Sequence, residues 1–204
     1  MLLCDIGNSC AKLFDGQTLR RLSLEELEAW KENRVYYLNV NKKAAQILQN
    51  FDSWIDLEPF IELDSAYEGL GADRKALCSF IEDGVIIDAG SAVTIDVMEK
   101  KRHKGGFIYP GFEVLKKAYA SISPTLDKEP VWPKESLPLS TKEAIGYGML
   151  SPLVCAINKL GEKKDLFLTG GDAQVLASYL PQALYKPLLI FEAMEKIIRR
   201  KNVC

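Results

Sequence analysis

Two short motifs place an aspartate and a glycine where an apolar run of the sequence ends, and this pattern suits phosphate chemistry. Asp5 lies in DIGNS near the start of the chain, and Asp88 lies in DAGS. A strand that ends in Asp-x-Gly presents a carboxylate at its tip, and the glycine lets the backbone turn so that successive N–H groups can bind an anion. Asp5 could then orient a hydrated Mg²⁺, and Lys12 could neutralise a phosphate. Each motif alone also fits an ordinary glycine turn.

A third acidic motif, GLGADRK at residues 69–75, carries the pair of side chains that a kinase of an acidic substrate needs. Gly69 and Gly71 precede a helical pattern, so Asp73 lies near the helix start. A carboxylate there can accept the proton of an acceptor hydroxyl, a role worth about 10²–10⁴ in rate, and the fork of Arg74 suits a carboxylate. A helix-capping aspartate followed by a surface arginine has the same sequence, so both interpretations stay open.

Three further segments combine glycines with turn or cap signals. TGGDA, residues 169–173, joins a strand to a helix and fits either the close approach of an adenine ring or a helix cap. GGFIYPG, residues 105–111, is a strand bracketed by turns that could form a pocket wall or only end the strand. STKEAIGYG, residues 140–148, begins with the capping-box pattern Ser-x-x-Glu, and its two glycines permit close packing.

The elements that must position these motifs repeat within the chain. The run LLCDIGNSCAKLF at residues 2–14 is echoed by VIIDAGSAVTIDV at residues 85–97. When Asp5 is superposed on Asp88, the following glycines also coincide. The first copy continues through the hairpin signal Asp15-Gly16, and the second continues through a polar turn into a further strand. Each half of the chain therefore opens with antiparallel strands.

Strands that alternate with helices predict an α/β fold. The duplication further predicts ribonuclease H-like (actin-like ATPase) lobes with mixed sheets, at residues 1–83 and 84–204, with a nucleotide cleft between them. The predicted helices cover residues 42–49, 74–81, 112–122, 141–159 and 172–180, and further predicted strands cover residues 35–40 and 166–169.

The composition limits which binding partners and which cellular compartment we expect. The chain has 204 residues, of which 48% are hydrophobic, and a net charge of −2, so we expect neither a nucleic-acid partner nor a membrane partner. MLLCDIGNS lacks the basic start of a signal peptide. Five cysteines without a CxxC pair, beside one histidine, argue against zinc and favour reduced thiols in the cytoplasm.

In combination, the motifs resemble the type III pantothenate kinases. DIGNSCAK, YEGLGADRKA, IDAGSAVTID, GGFIYPG, STKEAIGYG and TGGDA follow one another in the order of that family over residues 5–173. The resemblance implies ATP-dependent phosphorylation of pantothenate to 4′-phosphopantothenate, the first step of coenzyme A biosynthesis. It also implies a homodimer that requires Mg²⁺ with ATP and a monovalent cation, K⁺ or NH₄⁺.

The resemblance assigns roles residue by residue. Asp73 matches the proton acceptor, Asp88 the ligand of the monovalent cation, and Asp5 a residue that binds Mg²⁺ through water. The implied ATP-binding residues are Asp5, Ile6, Gly7, Asn8, Ser9, Cys10, Ala11, Lys12 and Ser91. The implied substrate-binding residues are Tyr67, Gly71, Ala72, Asp73, Arg74 and, from the partner subunit, Thr141.

Two departures from the family pattern stand out. Serine replaces the more common threonine at Ser9 and Ser91, which keeps the hydroxyl, and residues 180–204 carry no matching motif.

Three other functions fit parts of the sequence. A kinase of the same architecture could act on another small hydroxylated metabolite. A non-catalytic regulator could retain the fold, although the intact Asp5, Asp73 and Asp88 argue against lost catalysis. An actin-like filament or ATPase module is disfavoured by the short chain and the GADR motif.

Overall fold

The computed structural model describes residues 1–132 and 137–203. Within these residues it contains eleven β-strands, six α-helices and three short 3₁₀ segments. The strands are β1 (Leu2–Ile6), β2 (Ala11–Phe14), β3 (Leu19–Leu22), β4 (Val35–Asn39), β5 (Trp54–Asp56), β6 (Asp64–Ser65), β7 (Gly84–Ala89), β8 (Ala92–Glu99), β9 (Arg102–Pro110), β10 (Leu166–Thr169) and β11 (Leu184–Tyr185). The helices are α1 (Lys42–Leu48), α2 (Ala72–Phe80), α3 (Phe112–Ile122), α4 (Thr141–Leu160), α5 (Ala173–Ala177) and α6 (Leu189–Lys201), and the 3₁₀ segments are Glu25–Trp30, Glu58–Phe60 and Pro124–Leu126.

The chain forms two compact units that are not two consecutive pieces. The first unit comprises Met1–Glu82, Met98–Gly105 and Leu188–Cys204, and the second comprises Asp83–Val97 and Gly106–Pro187. The predicted lobe boundaries, residues 1–83 and 84–204, describe the duplicated halves of the sequence and remain a prediction. The compact units differ from them chiefly because α6, at the end of the chain, packs on α2 and on β1.

The first unit contains a five-stranded mixed sheet in the order β3-β2-β1-β4-β5. β1 is antiparallel to β2 and parallel to β4. Alternate residues of β1, Cys4 and Ile6, belong to a buried apolar cluster with Ala44 and Leu48 of α1. The two-residue period of the strand therefore sends Asp5, which lies between them, to the opposite face of the sheet.

The β2–β3 hairpin turns at Asp15-Gly16, as predicted. Gly16 has φ +98°, in the left-handed region that favours glycine. The Asp15 carboxylate accepts hydrogen bonds from the N–H groups of Thr18 at 2.7 Å and Gln17 at 2.9 Å, and from Arg20 at 2.8 Å. These bonds favour the ionised form and lower the pKa of Asp15 to about 2.

The second unit repeats this topology. Its strands lie in the order β11-β10-β7-β8-β9, and β7 is parallel to β10, which is parallel to β11. Taken from the other edge, the order is β9-β8-β7-β10-β11, which has the same pattern as β3-β2-β1-β4-β5. In both, three strands that are consecutive in the chain are followed by two parallel strands. The start of β9 belongs to the first unit, where β6 pairs with it. The duplication expected from the sequence is therefore present in the strand order.

Most predicted helices are confirmed, with two differences at the end of the chain. α3 covers the predicted range, and α1, α2 and α4 begin or end within two residues of it. α5 ends at Ala177, so it is shorter than predicted. α6 was not predicted, although its buried residues, among them Phe191, Met194 and Ile198, follow a helical spacing. No helix among the described residues is long and apolar enough to cross a membrane.

The packing of α6 gives a test of the fold. Phe191 is 1% exposed, and its ring centroid lies 5.1 Å from that of Phe14. We expect Phe191→Ala to lower the free energy of unfolding by about 3–5 kcal/mol, as measured by urea unfolding, because it leaves a cavity. Glu195→Ala is the control, since it removes only an exposed ion pair with Arg199 and should cost about 0.5 kcal/mol. Equal costs for the two variants would contradict the packing of α6 on the sheet.

Candidate active site

The first predicted phosphate turn is a tight connection between β1 and β2. The Gly7 N–H donates to the Cys10 carbonyl at 3.1 Å, which closes the turn. Asn8 and Ser9 stand at its tip and are exposed. The turn therefore presents backbone and short polar side chains to solvent, the arrangement that an anion-binding loop needs.

Asn41, which sequence analysis missed, supports this turn. Its side-chain amide donates to the carbonyls of Gly7 and Asn8, both at 3.3 Å. Its Oδ1 accepts hydrogen bonds from the N–H groups of Lys43 and Ala44, so the same side chain caps α1. An asparagine directly before a helical pattern is a capping signal, but the sequence carries no sign of its second contact.

The pair Asp5 and Lys12 lies at the base of the turn. The two residues face each other in the β1–β2 register, and Lys12 Nζ lies 3.4 Å from Asp5 Oδ2. The Asp5 side chain is 12% exposed, so its carboxylate is only narrowly accessible.

Burial, and then the charge of Asp5, raise the pKa of the neighbouring Cys4 thiol well above its usual range. Cys4 therefore stays protonated and is excluded as a nucleophile.

The second predicted phosphate turn joins β7 to β8 and is two residues shorter. The Gly90 N–H donates to the Ala92 carbonyl at 3.0 Å, and Ser91 at its tip is exposed. Asp88 is half-buried near the end of β7 and faces Thr169 of β10 in the parallel register. The two turns thus share their position after the first strand of each sheet, and they differ in length.

The TGGDA segment packs directly against Asp88. Gly170 has φ +97°, and a Cβ atom added there would lie 2.5 Å from Asp88 Oδ1 and 2.2 Å from the Ala89 carbonyl oxygen. The Asp172 N–H donates to that same carbonyl at 2.9 Å. Asp172 occupies the N-cap position of α5 without a side-chain hydrogen bond to the helix. Gly170 is therefore required by the close approach of two backbones beside Asp88.

Two glycines of GGFIYPG, Gly106 and Gly111, also allow close approach of main chain, and Gly111 does so beside Ser91. A Cβ atom added at Gly111 would lie 2.5 Å from the carbonyl oxygens of Gly90 and Ser91. At Gly106 it would lie 2.1 Å from the Ile95 carbonyl oxygen. Such distances exclude any side chain, so the motif holds β9 and its end against β8 and the Ser91 turn.

Asp73 lies in the first turn of α2. Its Oδ1 accepts the Arg74 N–H at 2.7 Å, and the carboxylate is half-buried. A Cβ atom added at Gly71 would lie 2.7 Å from this oxygen and 3.4 Å from Val40 Cγ1. The Val40 N–H in turn donates to the Ile6 carbonyl at 3.1 Å, at the start of the first phosphate turn. Val40 therefore connects the Asp73 motif with that turn.

Arg74 and Tyr67 form a pair beside Asp73. Arg74 is 5% exposed, so the alternative of a surface arginine is wrong. Its guanidinium carbon lies 4.8 Å from the centroid of the Tyr67 ring, and Nη1 donates to the Tyr67 hydroxyl at 3.4 Å. The guanidinium group of Arg74 is thus held against the face and the hydroxyl of an aromatic ring.

Thr141 is the first residue of α4 and is exposed. Ser140 caps this helix, and its hydroxyl donates to the Glu143 carboxylate at 3.0 Å, so the predicted capping box is confirmed. The Leu139 N–H donates to the same carboxylate, and these bonds lower the pKa of Glu143. A Cβ atom added at Gly146 would lie 2.1 Å from the Val131 carbonyl oxygen, which explains one of the two helical glycines.

The comparisons with known proteins decide the family. The sequence model of the family "Type III pantothenate kinase" matches residues 41–163 of this chain. A type III pantothenate kinase from Campylobacter jejuni strain RM1221 is 44% identical over 202 residues, covering 98% of this chain and 97% of the relative. The chain belongs to the type III pantothenate kinase family. The resemblance inferred from the six motifs is thereby confirmed.

Solved structures agree with this assignment and with the predicted fold. A crystal structure from Campylobacter jejuni, of a conserved protein proposed to be a Baf family transcriptional activator, has a TM-score of 0.92 and 41% identity with full coverage of both chains. The apo ParM protein of pSK41 has a TM-score of 0.50 at 11% identity, covering 98% of this chain and 97% of its own, and shows the fold alone. The α/β fold of duplicated, actin-like ATPase type is confirmed.

Gly71 and Gly16 give a matched pair for testing the Asp73 geometry. Gly71 has φ −64°, which any residue can adopt, so Gly71→Ala should keep the fold and displace the Asp73 carboxylate. We expect kinase turnover to fall by about 10²-fold, the cost of a small misplacement of a reacting group. Gly16→Ala has open space but a strained φ, so it should lower the melting temperature and keep turnover. Unchanged turnover in Gly71→Ala would contradict the importance of this contact.

Proposed function

We propose that this chain transfers the γ-phosphate of ATP to pantothenate and forms 4′-phosphopantothenate, the first step of coenzyme A biosynthesis. Membership of the type III pantothenate kinase family supports the reaction. The observation that carries the site assignment is the arrangement of Asp73 beside Arg74 and Tyr67 at the start of α2. We place the reaction in the cytoplasm, which the free thiols among the described cysteines favour.

The turn from Asp5 to Lys12 is proposed to bind the phosphates of ATP. Its exposed tip offers N–H groups and the side chains of Asn8 and Ser9, and Lys12 adds a positive charge. Ser91 in the second unit is proposed as a further ATP contact. Because phosphoryl transfer depends mainly on positioning and on charge stabilisation, a turn fixed by Asn41 suits the task.

The residues present fit a magnesium ion held through water at Asp5. Magnesium takes few protein carboxylates and keeps several waters, and Asp5 supplies one narrowly accessible carboxylate beside Lys12. Bound with ATP, the ion would offset the negative charge that develops on the transferred phosphoryl group. The role of the protein is to keep Asp5 and Lys12 together at the base of the phosphate turn.

Asp88 is proposed to hold the monovalent cation, K⁺ or NH₄⁺. Its half-buried carboxylate lies against the backbone at Gly170, so an oxygen-rich and partly dry environment is available. Such an environment suits a weakly hydrated cation of low charge. This assignment comes from the family resemblance, and the geometry beside Asp88 is compatible with it.

Pantothenate is proposed to bind at the start of α2. Arg74, oriented by Tyr67, would bind the substrate carboxylate through its forked donors. Asp73 would accept the proton of the attacking hydroxyl, and its carboxylate is held by the Arg74 N–H and lies close to Gly71.

A homodimer is proposed, with Thr141 reaching the substrate of the partner subunit. Several large apolar side chains of the second unit are exposed, and Val114 and Ile122 share one face of α3. Leu139, two residues before Thr141, is also exposed. Exposed apolar side chains on one helix face are typical of association surfaces. The exposed apolar side chains of the second unit include Ile108, Val114, Ile122, Val131, Leu137 and Leu139.

A second candidate function is a regulator that retains the kinase fold. It is favoured by the relative at 41% identity that is described as a proposed transcriptional activator. The net charge of −2 gives such a role no electrostatic support for binding nucleic acid. Catalysis would separate the two functions, because a regulator needs no pantothenate-dependent turnover.

ADP release from MgATP tests the proposed activity. We expect release that requires pantothenate, and that is faster in K⁺ buffer than in Na⁺ buffer because of the cation at Asp88. Asp73→Asn should keep the fold and lower turnover by about 10²–10⁴-fold, since it removes the proton acceptor. Release that does not depend on pantothenate would move the substrate to another hydroxylated metabolite, and no release at all would favour the regulator.

Mixed dimers test whether Thr141 acts across the subunit interface. Asp73→Asn and Thr141→Ala should each be poorly active alone. After subunit exchange in equal amounts, half of the dimers carry both variants, and one of their two sites has both residues intact. We therefore expect activity to recover to about a quarter of the wild-type value, as follows from a two-fold symmetric interface. No recovery after confirmed subunit exchange would place Thr141 within its own subunit or outside the site.

A further inference from the structure

The segment that carries Tyr67 is exposed and has little regular structure of its own. Between Ile61 and Gly69, its only strand is β6, two residues long. This strand pairs with the start of β9 through Asp64 with Arg102 and Ser65 with His103. A segment held by so short a pairing needs further contacts if Tyr67 is to keep one position.

His103, the single histidine of the chain, supplies such a contact. It is 4% exposed, and its Nδ1 lies 2.7 Å from Ser65 Oγ. The same Oγ accepts the Tyr67 N–H at 3.1 Å. Two hydrogen bonds in sequence therefore connect the buried imidazole with the backbone of Tyr67, and bonds linked in this way strengthen each other.

The imidazole also contacts the Tyr67 ring directly. The ring centroids of His103 and Tyr67 lie 5.8 Å apart, with a tilt of 46° between the planes. The Tyr67 ring in turn lies 4.8 Å from the guanidinium carbon of Arg74. His103 thus restrains both the backbone and the ring of the tyrosine that orients Arg74.

We propose that His103 is a positioning residue that, through Ser65, fixes Tyr67 and thereby orients Arg74 for the carboxylate of pantothenate. This inference rests on the proposed function and deepens it. His103 acts through other residues, so its effect is on substrate binding and not on the transfer of the phosphoryl group. Its buried ring holds an exposed surface segment in place as one wall of the proposed site.

The physical reason is the cost of ordering. If the segment around Tyr67 were free, pantothenate would have to order it on binding, and that entropy would be subtracted from the affinity. Because of the Ser65–His103 bond, the segment is already ordered once the protein has folded, so pantothenate binding does not have to order it. Loss of one such bond changes an equilibrium by about fivefold, because its net contribution is about 1 kcal/mol.

Substitutions at both ends of the bond test the proposal in the full-length enzyme. We expect Ser65→Ala and His103→Leu each to raise the KM for pantothenate about fivefold. The KM for ATP and kcat should change by less than about twofold, because the proposed effect is on the binding of pantothenate. The effects of the two substitutions on the free energy of pantothenate binding should not add fully in the double variant, since both remove the Ser65–His103 bond. His103→Asn, whose side chain can again bond Ser65, should restore most of the affinity.

Ser79→Ala is the matched control. It removes a hydroxyl that donates to the Ala76 carbonyl in α2 of the same unit and should leave all three kinetic constants unchanged. A lower melting temperature for Ser65→Ala with an unchanged KM for pantothenate would overturn the proposal and leave a purely structural bond. A parallel loss of kcat and of affinity for both substrates would overturn it as well. A wild-type chain without pantothenate-dependent ADP release would overturn the proposed function and this inference together.

Discussion

Close approach at two glycines, Gly170 and Gly71, is the constraint on which the Asp88 and Asp73 sites depend. Beside Asp88, a Cβ atom at Gly170 would lie 2.2 Å from a carbonyl oxygen, and beside Asp73 a Cβ atom at Gly71 would lie 2.7 Å from the carboxylate. At Gly170 the neighbouring carbonyl oxygen excludes a side chain, whereas at Gly71 the Asp73 carboxylate would have to move. Each glycine therefore lets a carboxylate lie directly against main chain.

The duplicated topology explains why chemistry gathers at these places. In each unit the first strand has the strand that directly follows it in the chain on one side and a parallel strand on the other. The turn that follows the first strand is closed by the N–H of its glycine, Gly7 or Gly90. The copies then diverge in detail. In the first unit Asn41 supports the turn with its side chain, whereas in the second the backbone N–H of Asp172 bonds to Ala89.

Much of this organisation could be predicted from local patterns. The two Asp-x-Gly motifs, the capping box at Ser140 and helix α3 are where the sequence places them, because strand ends, helix caps and helical periodicity are local properties. The packing of α6 on α2 and β1 could not be predicted, since the sequence of an amphipathic helix does not indicate which elements it covers. The burial of Arg74 could not be predicted either, because arginine side chains are mostly exposed.

The sequence by itself determined the chemistry, the order of the motifs and the repeated unit, because these depend on residue type and on spacing along the chain. Only the tertiary structure decided which distant residues support them. Asn41 reaches the turn at Gly7, and His103 reaches Ser65 and Tyr67, across 34 and 38 residues of chain. Such contacts are set by strand pairing and by the packing of buried polar groups that must find a partner. That requirement acts in three dimensions, so it leaves no period or motif in the sequence.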